Sequence, residues 1–126
     1  MTATESQILR DIRAALGREP DVKLWRLSQG GAVSRSGQTY RAGLSVNGAS
    51  DLIGILRYTE DSGYGSGPMS TGRFIALEVK TDRGRLRREQ VLFLELVRRL
   101  GGFAAVVRSV DEARAALERA RAGASE

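Results

Sequence analysis

The sequence predicts an α/β domain, a mixed central sheet flanked by helices. Three observations carry that expectation. Residues 73–81 (RFIALEVKT) form the strongest strand pattern in the chain. A helical pattern over 85–100 and a second apolar strand at 103–107 (FAAVV) follow, which is the spacing of a βαβ crossover. Further strand-like runs precede this unit and helical patterns close both ends, so helices are expected on both faces of the sheet.

The elements follow in order. Residues 4–17 read as a helix: Ile8, Leu9, Ile12, Ala15 and Leu16 recur at helical spacing, and Gly17 and Pro20 end it. Thr4 with Gln7, or Thr2 with Glu5, matches a capping box. Glu5 shares the apolar stripe of Ile8 and Leu9, an odd place for a carboxylate. Residues 22–27 read as a strand. Residues 29–48 are rich in Gly, Ser and Asn, with strand-like pieces at 38–41 and 44–46, and predict hairpins or irregular loops. Residues 51–56 (DLIGIL) are an apolar strand suited to a central position with both faces covered. Residues 59–72 read as a loop by composition and hold no phosphate-binding glycine motif. In the helix at 85–100, Val91, Leu94, Val97 and Leu100 lie on one side, and Gly101-Gly102 ends it. Ser109 with Glu112 matches a capping box for a last helix running to about 120, and the tail GASE is expected to fray.

The 126 residues fit one domain spanning 1–126. Twenty Lys and Arg against fifteen Asp and Glu leave a net charge of +5, which suits a polyanionic partner such as nucleic acid. There is no cysteine and no histidine. That excludes disulfides, thiolate and imidazole zinc sites, and a histidine base. Any metal must sit on oxygen, which favours Mg²⁺, with Mn²⁺ as a substitute. No apolar run approaches the roughly 18 residues of a membrane span, and the N-terminus lacks the apolar stretch of a signal peptide. The cytoplasm is the expected compartment and no membrane partner is expected.

Strand alternation puts Phe74, Ala76, Glu78 and Lys80 on one face of the 73–81 strand. Two charges on one face of an interior strand need a reason. An ion pair at a strand end is the plain one. Asp51, heading the DLIGIL strand, supplies a second acid, though by itself it also fits a turn-ending aspartate. The chain uses only two lysines, Lys23 and Lys80, against eighteen arginines, which hints that position 80 needs a compact ammonium. Two carboxylates on adjacent strands can hold one or two Mg²⁺ ions, and a lysine beside them can orient a water and offset charge on a phosphoryl transition state.

Asp51 followed by Glu78-Val79-Lys80 resembles the motif of the PD-(D/E)xK nucleases. More narrowly, LWRLSQGG, GASDLIGIL, GRFIALEVKTDRGRLRREQVLFLELVRRLGG and FAAVVRSVDEA resemble the stand-alone VRR-NUC domains of phages and bacteria over about residues 5–115. The resemblance implies a restriction-endonuclease-like core and a metal-dependent DNA endonuclease. It implies that Asp51, Glu78 and the Val79 carbonyl bind the metal, with Glu5 as an outer ligand. It implies that Lys80 positions the attacking water and that Gln90 is the family's glutamine on the next helix. The spacing of Gln90 with Leu94 and Val97 agrees, since it turns Gln90 toward the sheet. The motif's proline is Ser50 here.

Arg83, Arg85, Arg87 and Arg88 follow Lys80 as a basic rim for phosphates, and Arg26, Arg35 and Arg41 extend the track. Trp25, Tyr40 and Tyr58 are too scattered for base stacking, so backbone and shape are the expected readout. The resembled family includes branch-resolving enzymes, which implies a junction or flap substrate and a role in DNA repair, including Holliday-junction resolution. A junction cut twice needs two active sites and hence a two-fold homodimer, paired through apolar residues of the first helix or of the 85–100 helix. A non-catalytic DNA-binding module with the same fold and a plain structural domain are the competing readings. Intact Asp51, Glu78 and Lys80 speak against the former, and the latter requires Lys80→Ala to change stability at most.

Overall fold

The computed structural model describes residues 3–27, 31–33, 36, 39–41, 47–61, 65 and 67–126, with the backbone alone for 31–33, 39–41 and 61. Helix α1 (Glu5–Leu16) begins at the Thr4 cap. Thr4 Oγ1 accepts the Gln7 N–H at 3.2 Å, and the Thr4 N–H donates to Gln7 Oε1 at 2.9 Å, so of the two expected capping boxes this one forms. Thr2 lies outside the described residues.

The principal sheet has the order β1 (Val22–Arg26), β4 (Leu52–Asp61), β5 (Pro68–Val79), β6 (Phe103–Val107). The pairs β1–β4 and β4–β5 are antiparallel, and β5–β6 is parallel across helix α2 (Arg88–Arg99). That is the expected crossover. Helix α3 (Val110–Arg121) follows, and of its expected capping box the Ser109 half is formed, Ser109 Oγ accepting the Glu112 N–H at 3.1 Å. Strands β2 (Gly31–Val33) and β3 (Thr39–Arg41) form a separate antiparallel hairpin, which covers part of the piece expected at 38–41. The piece expected at 44–46 lies outside the described residues.

Each face of the sheet has its own core. Leu52, Leu56, Ile75, Leu77 and Val79 meet α1 and α3 through Ile12, Leu16, Ala113 and Leu117. On the other face Ala76 and Ala104 meet Phe93, Leu94 and Val97 of α2. The mixed sheet with helices on both sides is therefore the fold. Among the described residues no helix is long and apolar enough to cross a membrane.

Four expectations need correction. First, much of the loop expected at 59–72 is strand: β4 runs on to Asp61 and β5 starts at Pro68, paired in register with it, while residues 62–64 and 66 lie outside the described residues. This end of the hairpin is solvent-exposed and held by polar cross-strand pairs such as Thr59 Oγ1 with Ser70 Oγ at 3.0 Å, so it lacks an alternating apolar face. Second, α2 starts at Arg88 rather than 85, and its buried stripe is Gln90, Phe93, Leu94 and Val97; Leu100 is 76% exposed. Third, β4 is central but not covered throughout, because α2 packs over β5 and β6 and leaves Ile55 half-exposed. Fourth, the tail is pinned. The Ala104 N–H donates to the Ser125 carbonyl at 3.0 Å, and Arg98 lies 3.3 Å from the Glu126 carboxylate.

Candidate active site

Register builds the site. Leu52 pairs with Leu77, and both side chains enter the α1/α3 core. One residue further along, Asp51 and Glu78 fall opposite one another on the other face, the one α2 covers. Lys80 shares that face two residues on. The backbone holds the ends: the Leu27 N–H donates to the Asp51 carbonyl at 2.8 Å, and the Lys80 N–H to the Val107 carbonyl at 3.1 Å. The buried Ser50, in the place of the motif's proline, donates its hydroxyl to the Leu52 carbonyl at 2.9 Å.

Asp51 Oδ2 accepts the Val79 N–H at 2.8 Å. In a strand the N–H and C=O of one residue face the same edge, so the Val79 carbonyl also lies toward Asp51. Glu78 is only 2% exposed. Its Oε1 accepts from Gln90 Nε2 at 2.8 Å and sits 3.6 Å from Lys80 Nζ. Its Oε2 is buried and has no hydrogen-bond partner. Gln90 is itself fixed, since its Oε1 accepts the Arg87 N–H at 2.9 Å.

Burial pushes the Glu78 carboxyl up to about 8, and the Asp51 carboxylate beside it pushes the same way; Lys80 opposes both. Two carboxylates within hydrogen-bond reach cannot satisfy each other unless a proton or a cation lies between them. The orphaned Glu78 oxygen and the all-oxygen donor set of Asp51, Glu78 and the Val79 carbonyl therefore fit a hard divalent cation. Among the described residues no group of three or more Asp or Glu side chains stands close enough to share one ion. Glu5 is half-exposed and approaches the cluster through Lys80, at 4.0 Å from Nζ.

Of the sequence-predicted residues, Asp51, Glu78, Lys80 and Gln90 come together. Arg83, Arg85, Arg87 and Arg88 are exposed along the segment from Lys80 into α2. Arg26 is exposed at the end of β1 and pairs with Leu52, next to Asp51. Arg41 lies in β3, but its side chain, like the whole of Arg35, lies outside the described residues.

Two features escaped the sequence. Gly48 has φ +79°, and a Cβ there would lie 2.2 Å from the Glu89 carbonyl, so the chain ahead of Asp51 presses directly on the first turn of α2. Arg108 Nη1 donates to the carbonyls of Thr81 and Gly84, the latter at 2.9 Å, and so binds the turn that follows Lys80. An arginine at the end of a buried strand was the available signal for the latter.

A two-faced α/β sheet thus brings two acids and an amine together at the ends of β4 and β5. The VRR-NUC domain model matches residues 1–111, and the chain belongs to that family. Membership implies a nuclease with DNA as substrate. No curated protein and no solved structure matches the chain.

Proposed function

We propose that the chain is a Mg²⁺-dependent endonuclease hydrolysing DNA phosphodiester bonds, with branched DNA as its preferred substrate. The observation that carries the reading is the buried Glu78 carboxylate, one oxygen held by Gln90 and the other orphaned beside Asp51. Asp51, Glu78 and the Val79 carbonyl would hold the ion, with Glu5 as an outer ligand. Bound there, Mg²⁺ (or Mn²⁺ in its place) lowers the charge on the scissile phosphate and acidifies a water. Lys80 orients that water and offsets the charge that builds up on the phosphoryl oxygens. Gln90 keeps the Glu78 carboxylate aimed. Arg83, Arg85, Arg87, Arg88 and Arg26 hold flanking phosphates, with Arg41 extending the track.

A branched substrate cut on two strands calls for a homodimer. Ile8, Leu9, Ile12 and Leu16 of α1 are buried in the core and are not free to pair. Among the described residues the exposed large apolar side chains are Leu92, Leu96 and Leu100 of α2, together with Trp25, Ile55, Met69 and Phe74 of the sheet. We place the pairing surface there. The cytoplasm is the compartment this reading assumes, and DNA repair is its context.

The test incubates the protein with supercoiled plasmid, a four-way junction and a flap, in Mg²⁺ or EDTA, beside Asp51→Ala and Lys80→Ala. Metal-dependent cleavage, lost in both folded variants and fastest on the branched substrates, is expected. Undiminished cleavage by folded Lys80→Ala removes the assigned chemistry. Equal rates on all three DNAs remove the branch preference, and a monomer by analytical ultracentrifugation at high concentration removes the dimer.

A further inference from the structure

The turn after Lys80 is built as a brace for that side chain. The Gly84 N–H closes it on the Thr81 carbonyl at 3.0 Å. Gly84 packs so closely that a Cβ there would stand 3.3 Å from both Cβ and Cδ of Lys80. The brace thus lies along the aliphatic stem, and the ammonium is left 3.6 Å from Glu78 Oε1. A turn of this composition, Thr-Asp-Arg-Gly, with Asp82 and Arg83 exposed, has little apolar surface to hold it in place. What holds it is Arg108, from the end of β6. Its Nη1 donates to the Thr81 and Gly84 carbonyls, the two residues at the ends of the turn. Charge-assisted bonds to two carbonyls are strong for their kind, and Arg108 is partly buried in making them.

We infer that Arg108 is a positioning residue: it locks the 81–84 turn against the stem of Lys80 and thereby fixes where the ammonium stands, without touching DNA. The inference rests on the role assigned above to Lys80. It divides the arginines near the site into two kinds. Arg83, Arg85, Arg87 and Arg88 are exposed, whereas Arg108, partly buried, gives its Nη1 to two backbone carbonyls.

The two lysines make the geometry measurable without any reference to cleavage. Lys80 has a side chain 10% exposed, and Lys23 is exposed. Limited acetylation followed by mass spectrometry reads Lys80 against Lys23 as an internal standard. In the full chain, Arg108→Met keeps the apolar stem and removes the donors. Lys80 labelling relative to Lys23 is expected to rise about tenfold in this variant, and about threefold in Arg108→Lys, whose shorter stem reaches the carbonyls less well. If Arg108→Met does not fold, Arg108→Lys is read on the same scale, and wild-type labelling in the folded variant overturns the proposal.

Activity supplies a second readout. The single-turnover rate with Mg²⁺ is expected to fall about 10- to 100-fold in Arg108→Met, while affinity for a labelled duplex in EDTA and its salt dependence stay unchanged. The same substitution should add nothing in a Lys80→Ala background, as expected of groups acting through one another. Weakened duplex binding with a flatter salt dependence would make Arg108 a phosphate contact and overturn the proposal. A wild-type protein that cuts no DNA in any metal sinks the nuclease reading instead, and leaves the labelling result to decide the brace.

Discussion

Gln90 reaches back from the first turn of α2 to hold Glu78, its Nε2 donating to Glu78 Oε1 at 2.8 Å while its own Oε1 takes the Arg87 N–H. One side chain thus ties the helix start to the buried carboxylate and leaves the other Glu78 oxygen without a partner. Partners that orient a ligating carboxylate typically contribute 10- to 100-fold to metal affinity. Gln90→Ala is therefore expected to raise the Mg²⁺ concentration for half-maximal cleavage by about tenfold or more, at a stability cost of about 1–3 kcal/mol for the unpaired groups left behind. A Mg²⁺ titration of cleavage beside a urea melt reads both. An unchanged Mg²⁺ requirement shows that Gln90 is a helix cap alone.

The buried carboxyl of Glu78 gives the metal-free protein a specific pH dependence. In the unfolded chain it titrates near its ordinary 4.5, and in the folded chain near about 8. Below pH 4.5 both states carry the proton and the group is neutral to stability. Between pH 4.5 and about 8 the unfolded chain has lost the proton and the folded chain keeps it, so stability falls as pH rises. The loss is a few kcal/mol over the window. A bound cation needs the carboxylate, so Mg²⁺ binding releases a proton, and its stabilising effect grows with pH up to about 8. Thermal melts from pH 5 to 9, with and without Mg²⁺, are expected to diverge as pH rises. Glu78→Gln should remove both the slope and the divergence, and a slope that survives in this variant belongs to another group.

Much of the site was legible because strands alternate strictly. Once 73–81 is a strand, Glu78 and Lys80 share one face, and Ile75, Leu77 and Val79 share the other. Asp51 joined them through register, set by the apolar run 52–56 against 73–77. What stayed hidden depends on partners distant in the chain. Arg108 acts on carbonyls 27 and 24 residues before it, and its place at the end of a buried strand does not name those partners. The strand ends at 59–61 and 68–72 lack the apolar alternation that signals a strand, and their described side chains are exposed. The C-terminal tail looked free since its fastening, the Ala104 N–H to the Ser125 carbonyl, lies across the edge of the sheet.

The fastening of α3 offers a prediction on the opposite side of the pH scale. Arg121 grips Asp21 with both prongs, Nε to Oδ2 at 2.7 Å and Nη2 to Oδ1 at 2.8 Å, and also touches Glu19 at 3.3 Å and Glu118. The hydrogen bond from Arg121 holds the Asp21 carboxyl below its ordinary 3.8. A depressed acid contributes stability that is present above its unfolded value and is lost as pH falls through its folded value. Asp21→Asn is expected to cost about 1 kcal/mol at neutral pH, and the gap to wild type should close as pH drops below about 4. Urea titrations of both proteins at pH 7 and pH 3 measure it. A gap that stays constant would mean that the pair contributes by packing rather than by charge.

Gly48 is where the chain ahead of Asp51 meets α2 backbone to backbone. With φ +79° it takes a conformation that L side chains rarely adopt, and a Cβ would collide with the Glu89 carbonyl at 2.2 Å and the Gln90 nitrogen at 2.6 Å. Neither neighbour is the movable end of a side chain, so the segment itself must shift, carrying Asp51 away from Glu78 and Gln90. Gly48→Ala is expected to cost about 2–4 kcal/mol and to lower metal-dependent cleavage well beyond what the loss of folded protein explains. Gly65→Ala is the matched control. Gly65 has φ +74° but open space around it, so it carries the conformational penalty alone, about 1 kcal/mol. Melting curves and cleavage rates of the two variants, measured side by side below both midpoints, separate the effects. If the two lose stability and activity equally, the close approach to Glu89 does not position Asp51.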